Sequence, residues 1–183
     1  PPSLVLMALR MLFTFLPAPL MLLAQCIGTV LVVYGFWIEP HRIQVTHQTL
    51  QPANFKPVSR PLRLLHLGDL HIERITRREE QLNQLIGELA PDIILFSGDF
   101  LNLSYREEPT AMQAARKIVS QWQAPLGVFA VTGSPAVDYP EIVSDILAGL
   151  PVRWLKDENV SLSYEDNLIN IIGITCTHRP HQD

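Results

Sequence analysis

At 183 residues, 48% of them hydrophobic, the chain is long enough to bury one sizeable core. Its 14 basic and 18 acidic residues leave a net charge of −4, which argues against a nucleic-acid groove. There is no internal repeat, Gly-rich phosphate loop or low-complexity tract, and the two cysteines, Cys26 and Cys176, stand in such different contexts that no disulfide or redox compartment is implied.

The apolar excess lies before residue 39. Ser3 to Leu16 is apolar except for Arg10, and Pro17-Ala18-Pro19 separates it from Leu20 to Ile38, which carries no charge. At ~1.5 Å per residue the second run crosses most of a ~30 Å hydrocarbon core, with Tyr34 and Trp37 where an interfacial aromatic belt belongs. Residues 1–38 are therefore read as membrane segments with the span at 20–38; a buried soluble helix is the minority alternative. The upstream run is either the end of an earlier span, making a helical hairpin, or an interfacial segment in which Arg10 snorkels. Gly35-Phe36-Trp37-Ile38 offers no small-residue cleavage site for a signal peptide. Arg10 on one side and Arg42, Arg60 and Arg63 on the other favour a cytoplasmic head.

Residues 39–61 are read as a linker with a short strand, extended through Gln51 to Pro61 by three prolines. Leu62 to His71 and Asp92 to Asp99 are short apolar runs ending in turn residues, the pattern of central strands covered on both faces. Between them Thr76-Arg77-Arg78-Glu79 is a capping box, and Leu82, Leu85, Ile86 and Leu89 give a helix over 77–90. A second helix is predicted over about 110–123, with Ala111, Ala115, Ile118, Val119 and Trp122 on one side. A third follows from Tyr139 to about Leu147, and Leu168 to Ile174 is strand-like. Strands alternating with helices make an α/β head with parallel strands. Arg74, Arg77 and Arg78 form a basic cluster, either a phosphate attractor or a solvated helix start.

Both central runs stop at a carboxylate. Asp69, with His71 two residues on, and Asp99 after Gly98 stand at the carboxyl ends of neighbouring strands, where ligands of such sheets collect. Two carboxylates and an imidazole suit a divalent metal. Each piece alone is an ordinary loop feature; the pair of matched strand ends is what points to a site.

Asp-x-His followed by Gly-Asp resembles the calcineurin-like metallophosphoesterases over roughly residues 38 to 175, of the membrane-tethered bacterial type. The lead-in Ile38-Glu39-Pro40 with Val45-Thr46 adds to the likeness. The resemblance implies a layered α/β/β/α sandwich, present here as the incomplete N-terminal part of the domain at 62–183. It implies that Asp69 and His71 bind one metal and that Asp99 bridges two divalent ions (Mn²⁺, Fe²⁺ or Zn²⁺). It further implies a bridging water that becomes the nucleophile on a phosphomonoester or phosphodiester. A bacterial cell membrane, its lipid bilayer and a lipid-linked or envelope-linked phosphate ester are the implied location and partners.

The family's third block, Gly-Asn-His-Asp or Glu, is replaced by Gly133-Ser134-Pro135-Ala136-Val137-Asp138. Ser134 would stand where the family has a metal-binding Asn, and a hydroxyl is a poorer ligand, so the second metal is short of a donor. Asp138-Tyr139-Pro140-Glu141 is read as a capping box, with Asp138 turning into the site as the alternative. His178 and His181 have a spacing that can hold a metal on a helix, but Thr177-His178-Arg179-Pro180-His181 is read as a solvated tail. No Gly-His-x-His occurs before Asp183 and the first residue is Pro1, so the chain is read as a fragment. The alternative to an enzyme is a catalytically weakened membrane protein that uses the fold as a binding or scaffold module.

Overall fold

Helix propensity and apolarity act together in the first unit of the chain, residues 1–45, and a parallel sheet organises the second, residues 46–183. The computed structural model describes residue 7 and residues 17–176. The upstream segment other than Met7, together with His178 and His181, lies outside them.

In the first unit α1 covers Ala18–Val33 and runs on through a π-helical turn, Tyr34–Ile38, into a 3₁₀ turn, Glu39–His41. Ala18–Ile38 is 21 residues, uncharged and unburied, and by length and composition it is able to cross a membrane. The polar Thr29 hydroxyl is satisfied within the helix, donating to the Gln25 carbonyl at 2.8 Å. At the far end Arg42 donates to the Tyr34 hydroxyl and that hydroxyl to Glu39, each at 2.8 Å. This polar knot closes the apolar stretch beside the exposed rings of Phe36 and Trp37.

The second unit holds a four-stranded parallel sheet in the order β1 (Leu64–Leu67), β2 (Ile93–Phe96), β3 (Val128–Ala130) and β4 (Val152–Trp154). The crossovers are α2 (Arg77–Leu89), α3 (Pro109–Val119) and α4 (Pro140–Leu147). A hairpin of β5 (Glu158–Tyr164) and β6 (Asn167–Gly173) forms a second sheet. Strand alternation decides what each face buries. Leu65, Ile94, Val128 and Val152 lie in register and pack with the helices, around Phe96, Phe100, Ile118 and Trp122. Ile93, Leu95, Phe129 and Val131 point the other way onto Val160, Leu162, Ile169 and Ile171 of the hairpin. The layers are thus helices, parallel sheet, hairpin, in agreement with the expected α/β sandwich over these elements.

The helix-side core is anchored by aromatics. Phe96 lies edge-on to Phe100 at 4.5 Å and to Trp122 at 5.4 Å. The buried Trp122 indole donates to Asn83 at 2.9 Å, so its N–H carries no desolvation penalty. α2 starts as predicted, with the Arg78 N–H on the Thr76 hydroxyl and the Thr76 N–H on Glu79. Burial pushes the Glu79 carboxyl up, but bonds from Thr76 and Arg78 outweigh it and hold the group below the usual range.

Four expectations are corrected. β1 is covered on one face only: the hairpin stops short of it, leaving Leu64 and His66 exposed. No strand forms within 39–61, because this stretch meets no sheet edge. Its second half is also no free linker. Lys56 N–H donates to Asn167 at 2.7 Å, Ser59 N–H to Glu165 at 3.0 Å, and Arg60 takes Asp92 in a two-pronged ion pair at 2.6 and 2.8 Å. α3 ends at Val119, since the N–H groups of Gln121 and Trp122 turn back three residues to Ile118 and Val119. Finally, Asp138 does not cap α4. Tyr139 is the N-cap, without a side-chain bond, because three other N–H groups engage the Asp138 carboxylate, two from the loop after β2 and one from Gly133 of its own loop.

Candidate metal centre

Three loops leave the carboxyl ends of β1, β2 and β3 side by side. The first carries Gly68, Asp69, Leu70 and His71, the second Ser97, Gly98 and Asp99, the third Thr132, Gly133 and Ser134. Beyond the strands the first two remain paired: Asp69 N–H donates to the Gly98 carbonyl at 3.0 Å and His71 N–H to the Asp99 carbonyl at 3.1 Å. Ile72 and Leu101 then form a parallel bridge. Main-chain pairing, rather than side-chain contact, therefore brings the candidate ligands into line.

Asp69, His71 and Asp99 all have left-handed backbones, with φ of 54°, 47° and 60°. For residues with a Cβ this conformation costs about 1–2 kcal/mol each. It turns three successive functional side chains toward one point, and strain concentrated in this way is a mark of functional loops. Their ligand atoms lie within 4.8 Å of one another, with His71 Nε2 3.6 Å from an Asp69 oxygen. The Asp69 and His71 side chains are 76% and 43% exposed, so a ligand reaches them from solvent.

The third loop serves the second. A Cβ at Gly98 would lie 1.9 Å from the Gly133 nitrogen, and one at Gly133 would lie 2.5 Å from an Asp99 oxygen. Only two glycines allow that approach. Ser134 then gives both its N–H and its hydroxyl to Asp99. Burial pushes the Asp99 carboxyl up, while the two Ser134 bonds, with help from Asp69 and His71, bring it below the ordinary range. Asp138 accepts from the N–H groups of Asp99 at 2.6 Å, Gly133 at 2.8 Å and Phe100 at 3.0 Å. Its burial raises its carboxyl above the usual range despite those donors. Arg106 adds a further tie between the loops, donating to the Ala136 carbonyl at 2.7 Å and lying 4.6 Å over the Tyr139 ring.

Sequence reasoning found Asp69, His71 and Asp99, and the structure brings them together. It found Ser134 by position only, as a weak ligand, whereas the side chain is bonded to Asp99. It missed Arg78 as a loop support: Nη2 donates at 2.8 Å to the carbonyl of Leu70, between the first two candidate ligands. Of the basic cluster, Arg78 is thus committed to the loop and to Glu79, while Arg74 and Arg77 are exposed.

Two carboxylate oxygens and an imidazole nitrogen at this separation fit one divalent cation, with positions left for water or substrate. Among the described residues no second such group occurs, and the Ser134 hydroxyl is already engaged.

The calcineurin-like phosphoesterase family is matched over residues 62–178. The chain is 30% identical over 120 residues to the UDP-2,3-diacylglucosamine pyrophosphatase LpxG of Chlamydia trachomatis, covering 64% of this chain and 35% of that protein. It is 28% identical over 157 residues to the uncharacterized metallophosphoesterase YkoQ of Bacillus subtilis, covering 79% and 56%. LpxG of Chlamydia muridarum is 26% identical over 142 residues, covering 75% and 41%. The chain therefore spans between about a third and just over half of the length of these relatives. No solved structure matches it.

Proposed function

The chain belongs to the calcineurin-like phosphoesterase family, and from that premise we propose that it acts in a membrane-anchored, metal-dependent phosphoesterase whose catalytic domain begins with residues 62–183. The convergence of Asp69, His71 and Asp99 on one point is the observation that carries this reading.

In the proposed site Asp69, His71 and Asp99 would hold a divalent ion, through an imidazole nitrogen and their carboxylates. When bound, such an ion polarises a phosphoryl oxygen and lowers the pKa of a bound water toward neutrality. The chain's own contribution is alignment. Main-chain pairing of the first two loops sets Asp69 against Asp99, Ser134 orients the Asp99 carboxylate, and Arg78 steadies the Leu70 carbonyl between Asp69 and His71. The family's usual pair of ions lacks donors at Ser134, so the described residues suit one. α1 supports tethering at a bilayer, and two relatives are named as pyrophosphatases of a diacylated sugar nucleotide. We take the substrate class to be a phosphate ester or pyrophosphate carried on a lipid or an envelope component.

A second reading, a weakened phosphoesterase fold used as a binding module, is favoured by Ser134 and Pro135 where the family has Asn and His. The two readings separate on the full chain in detergent micelles. Mn²⁺ uptake by calorimetry is expected at one ion per chain. Hydrolysis of bis(p-nitrophenyl) phosphate should depend on Mn²⁺ and vanish in Asp99→Asn with unchanged circular dichroism. Mn²⁺ binding without any turnover would favour the binding module; no Mn²⁺ binding by folded protein would overturn the metal site.

A further inference from the structure

Among the described residues three acids are almost fully buried, Glu79, Asp92 and Asp138. Glu79 has Arg78 and Asp92 has Arg60. Asp138, 3% exposed, is held by main-chain N–H groups alone: Asp99, Phe100 and Gly133. A buried carboxylate without a cation is an expensive group to retain. What it holds explains its place. Two of its donors flank the left-handed Asp99 backbone, and the third precedes Ser134, which orients the Asp99 carboxylate. One side chain therefore fixes Asp99 from both ends, through its own peptide and through the residue that grips its carboxylate.

We propose that Asp138 is a positioning residue of the metal centre, clamping three N–H groups so that the Asp99 carboxylate meets Asp69 and His71. Asp138 comes four residues after Ser134, and the loop bends it back to the strand ends that carry Asp99 and Gly133. The inference rests on the metal reading above.

Mn²⁺ affinity, measured by calorimetry on the full chain in detergent, tests it with Asp138→Asn, Asp99→Asn and the double variant. Asn keeps the shape of the side chain but presents an NH₂ to at least one N–H. Outer-shell partners of metal sites typically carry about 10–100-fold in affinity, and a loss of that size is expected for Asp138→Asn. In the Asp99→Asn background the same change should cost no further affinity, although it still lowers the thermal midpoint. A bound-Mn²⁺ paramagnetic resonance line shape altered by Asp138→Asn would support the same conclusion. Unchanged affinity with a lowered midpoint would overturn the inference, as would full additivity of the two losses. Should Asp138→Asn fail to fold, Asp138→Glu keeps the charge and displaces the clamp, and wild-type affinity in that variant overturns the proposal too. Wild-type protein that binds no Mn²⁺ removes the metal reading itself, and this inference with it; wild-type binding with an indifferent Asp138→Asn removes the inference alone.

Discussion

Ser134 places its N–H at 2.7 Å and its hydroxyl at 2.9 Å on one and the same oxygen of Asp99. A carboxylate oxygen has about two lone-pair sites, so this one is filled and its twin takes no bond from Ser134. In the proposed site Ser134 would thus hold a ligand, where the resemblance implies a residue that holds the ion.

Removing the Ser134 hydroxyl tests that change of role. Ser134→Ala should keep the same number of Mn²⁺ ions per chain, because the N–H bond to Asp99 survives. Loss of a bond to a charged acceptor should lower folding stability by about 1.5–3 kcal/mol, read from urea denaturation. A fall in bound metal would show Ser134 to be a ligand after all.

The approach of Gly98 to Gly133 makes a paired prediction. Gly98→Ala adds a Cβ 1.9 Å from the Gly133 nitrogen at a φ of +98°, and should destabilise by more than ~2 kcal/mol while scattering the metal ligands. Gly87→Ala, in α2 with nothing within 4 Å of the added carbon, should stabilise by about 0.4–1 kcal/mol. Thermal melts of the two variants in opposite directions are expected; equal shifts would mean the loop approach is slack.

Acid should act on the head through Asp92. Hydrogen bonds from Arg60, set against burial and joined by the Arg63 N–H, hold its carboxyl below the ordinary range. A carboxyl depressed in the folded state stabilises above its unfolded value near ~3.9, and that stability is lost as pH falls through the depressed value. Melting midpoints of the wild type should therefore drop below about pH 4 more steeply than those of Asp92→Asn, whose midpoint is already lower at neutral pH. Parallel curves would dissociate the pair from acid stability.

Ala18–Ile38 predicts behaviour in membranes. With no buried residue in α1 and exposed Leu22, Leu23, Val30, Leu31, Phe36 and Trp37, this surface suits a lipid phase by length and composition. Membranes from expressing cells washed in alkaline carbonate should retain the chain in the pellet. Its release to the supernatant would show that α1 does not span.

The candidate ligands were legible because their signal is local: an apolar run has to stop, and the residues at its end face the same rim of the sheet. The strands themselves are shorter than the apolar runs, ending at Leu67 and Phe96, while main-chain pairing persists beyond them to Asp69, His71 and Asp99. Asp138 was misread because Asp-Tyr-Pro-Glu is a sound capping pattern taken alone. Two of the three N–H groups that win it come from residues 38 and 39 positions away, and no local pattern carries them. β5 went unnoticed although its alternation of Val160, Leu162 and Tyr164 with polar residues is the period of a half-buried strand. β4, at three residues, is too short to announce itself.

The clasp of residues 56–60 on the hairpin has a mechanical meaning. Tension drawn along the chain from its first unit is borne at Lys56, Ser59 and Arg60, by bonds to residues 111, 106 and 32 positions away, before it reaches β1. The sheet edge and the loops beyond it are shielded from that load. When the chain ahead of residue 56 is pulled, the sheet is not the part that yields first.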